Sequence, residues 1–308
     1  MKIKPNKFFL HSLGRRKFIS TATKAAGAAL LLNSPLLTFA EKSSTNSNTI
    51  TVGEIMDAFI NEVPGAPFST TVDTLKAGNR DIKVTGIVTT MFATLEVIQK
   101  TIAAGANFII AHEPTFYNHA DETDWLANDE VYRFKAELLK QHGIAVWRNH
   151  DYIHRHIPDG VMTAVLARLG WTNYYTTNNV VVIPAISLKE LIQQAKQKLG
   201  IDQLRYIGKP EQTCKKVLLM PGAAGGRRQI EAISKQQPDV LVCGEIQEWE
   251  TAEYVRDAQA KGQQLSLIVL GHIASEEPGS EYMAEWLRKK IPAIPVTHIP
   301  AKNSLMFL

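Results

Sequence analysis

Three short groups of imidazole and carboxylate side chains stand where apolar, strand-like runs end. His112-Glu113 follows Asn107–Ala111, His150 and His154 follow Ile144–Arg148, and His272 with Glu276 follows Leu265–Leu270. Nitrogen and oxygen donors of these kinds suit zinc, manganese or iron. Six of them exceed what one tetrahedral ion uses and fit a pair of divalent cations. In open α/β folds ligands gather at the carboxyl ends of strands, so placement and donor chemistry agree. Loops are polar and collect histidines and acids without purpose, but three groups at three strand ends favour the metal reading.

Each group has a local logic. Pro114 ends a strand and stiffens the turn that carries His112 and Glu113. His150 and His154 are four apart and share a face if that segment is helical. Asp151 follows the first of them, so this is not the zinc-protease helix motif. Gly271 permits a sharp turn before His272, and Glu276 can bridge two cations through its two oxygens, with Glu277 as a substitute. His119, Asp121, Glu122 and Asp124 read as a solvated loop. Glu245 and Glu248 follow another apolar run and are candidates for a general base or for orienting a ligand. The glycine-rich stretch Pro221–Arg228 offers amides and a helix start, so Gly225, Arg227 and Arg228 are candidate anion-binding residues; a plain tight turn fits equally. No Gly-Lys-Ser/Thr follows, and no acid falls at ribose distance, so neither nucleotide-loop fingerprint applies.

Strands alternating with helices must position these groups. A capping box at Thr51 and Glu54 starts a helix running to about Glu62. Val84–Thr90, Asn107–Ala111 and Ile144–Arg148 read as strands, with helices after Thr94, over Asp129–His142 and over Gly160–Leu169. Asn173–Thr177 and Val180–Ile183 read as strands about a turn, and Ser187 with Glu190 caps a helix ending at Gly200. The rhythm then resumes: strand Lys216–Met220, helix Arg228–Gln236, strand Asp239–Cys243, helix from about Glu250 to Lys261, strand Leu265–Leu270, helix Glu281–Lys290, strand Ile294–Ile299. This predicts an α/β fold with largely parallel sheets. Ile87–Glu113 and Val217–Glu245 share a strand, turn, helix, strand pattern that places Glu113 and Glu245 at equivalent ends. We therefore expect two related three-layer α/β/α domains with a metal centre in the cleft between them: a first region over 51–180, a second over 181–262, and a segment over 263–308 that returns to the first and completes the site.

The amino-terminal residues read as an export signal. Gly14-Arg15-Arg16-Lys17-Phe18-Ile19-Ser20 resembles the twin-arginine signal, and Ala25–Ala40 is apolar but too short and interrupted to be a stable membrane anchor. Thr38-Phe39-Ala40 suits cleavage, and 41–50 forms a linker. Residues 1–40 hold seven Lys and Arg and no Asp or Glu, so their removal turns a formal net charge of +4 into −3. With that charge and no basic stripe among aromatics, nucleic-acid binding is excluded as an expectation. The protein is expected in the periplasm, with the twin-arginine translocase as a transient partner, and a folded export route suits a protein loaded with metal in the cytoplasm. Cys214 and Cys243 fall at opposite ends of two strands, too far apart to bridge.

At these residues the chain resembles the NIF-three-like family (NGG-one-interacting factor three), whose members carry the label GTP cyclohydrolase I type 2 homologue. The family pattern is a His-His-Pro turn, a histidine followed four residues on by aspartate, and Gly-His with a glutamate four beyond the histidine. Here these are His112-Glu113-Pro114, His150 with His154, and Gly271-His272 with Glu276. Glu113 and His154 exchange one imidazole and one carboxylate relative to that pattern, which leaves the total ligand charge unchanged. Trp249 stands where a histidine is common. The resemblance implies two α/β domains, a dinuclear centre of two divalent ions and a homo-oligomer, often a hexameric ring. The expected function is a metal-dependent hydrolase of a small-molecule substrate, in an exported subgroup; the alternative is a non-catalytic metal-binding or scaffold protein.

Overall fold

The central strands are buried at every position, and successive side chains enter different cores on the two faces of their sheet. In the computed structural model, which describes residues 50–306 and 308, one sheet comprises β1 (Leu75–Ala77), β2 (Ile87–Thr90), β3 (Phe108–Ala111), β4 (Ala145–Arg148) and β10 (Val296–His298), in the order β1-β4-β3-β2-β10. β10, β2, β3 and β4 run parallel, and β1 is an antiparallel edge. The second sheet comprises β5 (Val180–Ser187), β6 (Arg205–Ile207), β7 (Thr213–Met220), β8 (Val240–Cys243) and β9 (Ser266–Val269), in the order β5-β7-β8-β9-β6. Its middle three strands are parallel and both edges antiparallel. The expected signal over 1–40, and the linker over 41–50 apart from Ile50, lie outside the described residues.

Helices cover both faces of each sheet. Ile87, Phe108, Ile110 and Trp147 of the first sheet share one core with Val217, Leu219, Val242 and Ile268 of the second. Between them lie α1 (Val52–Ile60), α4 (Asp151–Arg155), α5 (Gly160–Leu169), α6 (Leu188–Leu199) and α9 (His272–Lys290), which contribute Phe59, Ile153, Val165, Leu191 and Leu287. The alternate residues Val88, Ile109 and Val146 pack outward against α2 (Leu95–Ala103) and α3 (Glu130–Gln141). Leu218, Leu241 and Leu267 do the same against α7 (Gly226–Gln236) and α8 (Glu253–Ala260). Each sheet is thus the centre of an α/β/α stack, and the middle helices serve both. Each fully buried aliphatic or aromatic side chain contributes about 1.5–3 kcal/mol, so this shared layer fixes the two sets of strand ends relative to each other.

The capping boxes at Thr51–Glu54 and Ser187–Glu190 form as their spacing predicts. Four expectations need correction. Asn173–Thr177 is not a strand: a 3-10 turn spans Thr172–Tyr174, and only Tyr175 bridges Val181, because Asn178 and Asn179 both take positive φ and turn the chain tightly. α9 starts at His272, nine residues before the expected helix. Pro278 lies inside it, and the helix survives because it is packed against α5; a Cβ on Gly279 would stand 2.8 Å from Val161. α8 is preceded by a π-helical turn, Glu248–Ala252. Finally, β9 belongs to the second sheet, so the chain returns to the first sheet through α9 and β10 and not from residue 263.

Cys214 and Cys243 are free and buried. Cys243 pairs in register with Met220, six residues along β7 from Cys214, about 20 Å at the rise of a strand. Among the described residues no helix is long and apolar enough to cross a membrane.

Candidate metal centre

Three strand ends and one helix start bring the donors together. Beyond β3, the amides of His112 and Glu113 donate to Thr90 O (3.0 Å) and Met91 O (2.8 Å), so the ladder continues past the strand and fixes both side chains. Beyond β4, the buried Asp73 accepts from the amides of His150 (2.8 Å) and Tyr152 (2.7 Å). It anchors the start of α4, which carries His154 one turn further on. Beyond β9, Gly271 at φ 90° leads into α9, whose first residue is His272 and whose next turn presents Glu276.

All six predicted metal ligands converge. His272 Nε2 lies 3.1 Å from Glu113 Oε1 and 3.0 Å from Glu276 Oε2. His112 Nε2 is 3.5 Å from Glu276 Oε2, His154 Nε2 is 3.8 Å from Glu276 Oε1, and His150 Nε2 is 3.8 Å from Glu113 Oε1. The rings of His112, His150 and His154 lie 4.9–5.2 Å apart. Two groups of donors are close enough to hold a metal ion: His112, His150 and His154, and His112, Glu113 and Glu276.

The four histidines are oriented alike. Each turns Nε2 into the cluster and has Nδ1 held by an oxygen: His112 by Asn149 O (3.3 Å), His150 by Asp151 (3.0 Å), His154 by Asp159 (3.1 Å) and His272 by Glu245 (2.8 Å). Such tethering by carbonyl or carboxylate is how ligating imidazoles are aimed. Asp159 also caps α5 through the amide of Met162, so one carboxylate sets both the helix and the ring. Asp151 in turn accepts from the Thr71 hydroxyl.

Charge is concentrated here. Burial opposes protonation of His272, but Glu113, Glu245 and Glu276 outweigh it and raise its pKa to about 12. Burial also opposes charge on His112, yet Glu276 and Glu113 raise its pKa above the ordinary imidazole value. His150 is pushed down to about 4, first by burial and then by the charge of His112. Burial works against the ionised forms of Glu113 and Glu276, and the surrounding imidazoles still hold both below the usual carboxylate range.

The remaining sequence candidates divide. Glu245 reaches the cluster as the partner of His272 Nδ1, with its side chain half exposed. The amides of Glu113 and Glu245 meet β2 and β7 exits in matching fashion, at Met91 O and Gly222 O, so the two halves of the repeat grip His272 by its two nitrogens. Glu248 does not join the site; it pairs with Arg205 and is exposed. Arg227 is turned outward onto Glu231, and Gly225 caps α7. Arg228 lines a cavity of about 500 Å³ over the cluster, with His119, Asn179, Met162, Met220 and Pro221. Trp249 is exposed on the π-helical turn. The expected solvated loop at 119–124 is corrected at Asp121, whose side chain is 2% exposed and pairs with Lys76 at 3.3 Å.

Sequence reasoning missed Arg148, which is wholly buried and donates to Glu113 Oε2 at 3.2 Å. A charged residue closing an otherwise apolar buried strand must be paired, and that was its available signal. Asp73 and Asp159 were missed as well. The glycine-rich turn has a structural role: Gly222, at φ 65°, lets β7 approach so closely that a Cβ there would be 2.4 Å from Glu276 Oε1.

Fold and cluster together define a two-sheet α/β protein with histidine and glutamate groups suited to a metal ion. The sequence profile of the Duf34/NIF3 (NGG1p interacting factor 3) family matches residues 54–304, and the chain belongs to that family. A GTP cyclohydrolase 1 type 2 homolog of Clostridium acetobutylicum is 25% identical over 226 residues, covering 69% of this chain and 80% of the relative. One from Clostridium perfringens is 22% identical over 229 residues, 70% of this chain and 83% of its own. Among solved structures, a Bacillus cereus protein related to NIF3 superposes with a TM-score of 0.70 at 15% identity, covering 84% of this chain and all of the other. A Staphylococcus aureus hypothetical protein gives 0.68 at 20%, with 84% and 99% covered. These likenesses establish the two-sheet fold.

Proposed function

We propose that the protein is a dinuclear metal-dependent hydrolase acting on a small anionic substrate. The observation that carries the reading is the common orientation of four histidines, each with Nε2 aimed inward and Nδ1 tethered. The residues fit a metal on two further grounds. His112 Nε2 is buried without a hydrogen-bond partner, and the imidazole and carboxylate donors match zinc, manganese or iron. His112, Glu113, His150, His154, His272 and Glu276 would hold two divalent ions. Such ions supply Lewis acidity and activate water near neutral pH. Arg228, on the cavity wall, pairs with the anionic group of the substrate, while Met162, Met220 and Pro221 exclude water from its apolar part. Glu245 holds the proton on His272 Nδ1 and so keeps Nε2 available to the cluster.

The open cavity beside the cluster favours an enzyme over a non-catalytic metal-binding or scaffold protein. The test is turnover of phosphate esters and cyclic amides by cation-loaded protein. Activity should vanish with a chelator, return with cation, and be absent in Glu276→Gln. Cation-loaded protein that turns over no member of such a panel would favour the scaffold reading. We also read the chain as exported folded by the twin-arginine route and as a homo-oligomer, a hexamer in the form the family resemblance implies. Cell fractionation and light scattering test these two readings.

A further inference from the structure

The two buried carboxylates of the cluster are held differently. Glu276 turns both oxygens to histidines: Oε2 lies 3.0 Å from His272 Nε2 and 3.5 Å from His112 Nε2, and Oε1 lies 3.8 Å from His154 Nε2. Glu113 turns only Oε1 inward, 3.1 Å from His272 Nε2 and 3.8 Å from His150 Nε2. Its Oε2 takes the guanidinium of Arg148 at 3.2 Å. Arg148 has no other place to go. Its Nε reaches His112 O at 3.4 Å, Nη1 donates to His119 O, and Nη1 stands 3.7 Å from Asp121 Oδ2. Behind it Asp121 pairs with Lys76.

A buried guanidinium survives only when paired, and removing one partner of such a pair is far costlier than removing both. We infer that Arg148 is a positioning residue that locks Glu113 as a one-oxygen ligand and cancels its charge, leaving Glu276 as the carboxylate that spans both groups of donors. This rests on the metal reading above. Residues 113 and 148 then act as one electrostatic unit of zero net charge. An imidazole at 113 with Arg148 retained leaves an uncompensated cation against the metal ions and repels them. Exchanging both residues restores neutrality.

The experiment compares wild-type protein, Glu113→His, and Glu113→His combined with Arg148→Met, by calorimetric titration with zinc and with manganese. Melting of the cation-free forms monitors folding. Loss of a partner that orients a ligand costs about 10–100-fold in metal affinity, so Glu113→His should bind at least about tenfold more weakly and the double variant should recover to within a few-fold of wild type. The pair Glu113→Gln and Glu113→Gln with Arg148→Gln gives the same ordering by a second route if the first pair folds poorly. A single variant that binds as tightly as wild type, or a folded double variant no better than the single one, overturns the inference alone. Wild-type protein that binds neither cation overturns the metal reading and the inference with it.

Discussion

Glu276 turns Oε2 to His112 and His272 and Oε1 to His154, so its carboxylate can serve two ions, whereas His154 offers a single nitrogen. The two alanine substitutions should therefore differ in kind and not only in degree. Glu276→Ala removes an oxygen from each side of the cluster and should abolish tight binding of both cations; His154→Ala should spare one. A ligand at a hundredfold its Kd stabilises by about 2.7 kcal/mol per site. For a chain of this size each kcal/mol raises the melting temperature by roughly 2–4 °C. Saturating zinc or manganese should then raise the wild-type melting point by roughly 10–20 °C, His154→Ala by roughly half of that, and Glu276→Ala by almost nothing. The assay is thermal melting with and without cation, alongside elemental analysis after dialysis. Glu276 is buried, so each variant is compared with its own cation-free form, which removes the cost of the cavity from the comparison. Equal cation-induced shifts in Glu276→Ala and wild type would refute the sharing of Glu276, and so would equal losses in the two variants.

Other consequences follow from the same geometry. Gly222→Ala places a Cβ 2.4 Å from Glu276 Oε1 at a φ of 65°, so it should destabilise by about 1–3 kcal/mol and weaken cation binding; melting and titration together report both. Asp159→Asn keeps the cap of α5 but releases His154 from a charged partner, and should lower cation affinity by about 10–100-fold with little change in melting of the cation-free protein. Protonation gives a signed prediction. His272 and His112 are raised above the ordinary imidazole range, His272 to about 12. Their ion pairs therefore stabilise the cation-free protein fully below that ordinary range and, for His272, fade only as pH climbs through about 12. A cation must displace the protons from Nε2, so uptake near neutral pH should release protons and affinity should rise with pH. Calorimetry in buffers of different ionisation heat measures the release, and uptake without proton release would contradict it.

The ligands themselves were legible because each follows an apolar run, and such runs become buried strands with their ends in register. The Glu113–Glu245 equivalence was legible too, since both close the same strand-helix-strand pattern. What escaped depends on contacts between distant segments. Asp73 serves His150 from 77 positions away, and nothing in its neighbourhood marks it as the anchor of α4. Arg148 closes an apolar strand, which marks it as paired, but its partner Glu113 lies 35 positions away on another strand end and nothing in the sequence names it. The start of α9 was hidden by Pro278-Gly279, a pair that in isolation breaks helices. Packing against α5 overrides that local preference, and it is the reason His272 and Glu276 lie on one helical face.

The central claim is that the cluster holds a pair of divalent ions. Elemental analysis of the protein purified without chelators, and again after reconstitution with zinc, manganese or iron, tests it most directly. The account predicts about two ions per chain, because six converging donors exceed what one tetrahedral ion uses. No bound metal, and none taken up on reconstitution by protein that melts cooperatively, would contradict it.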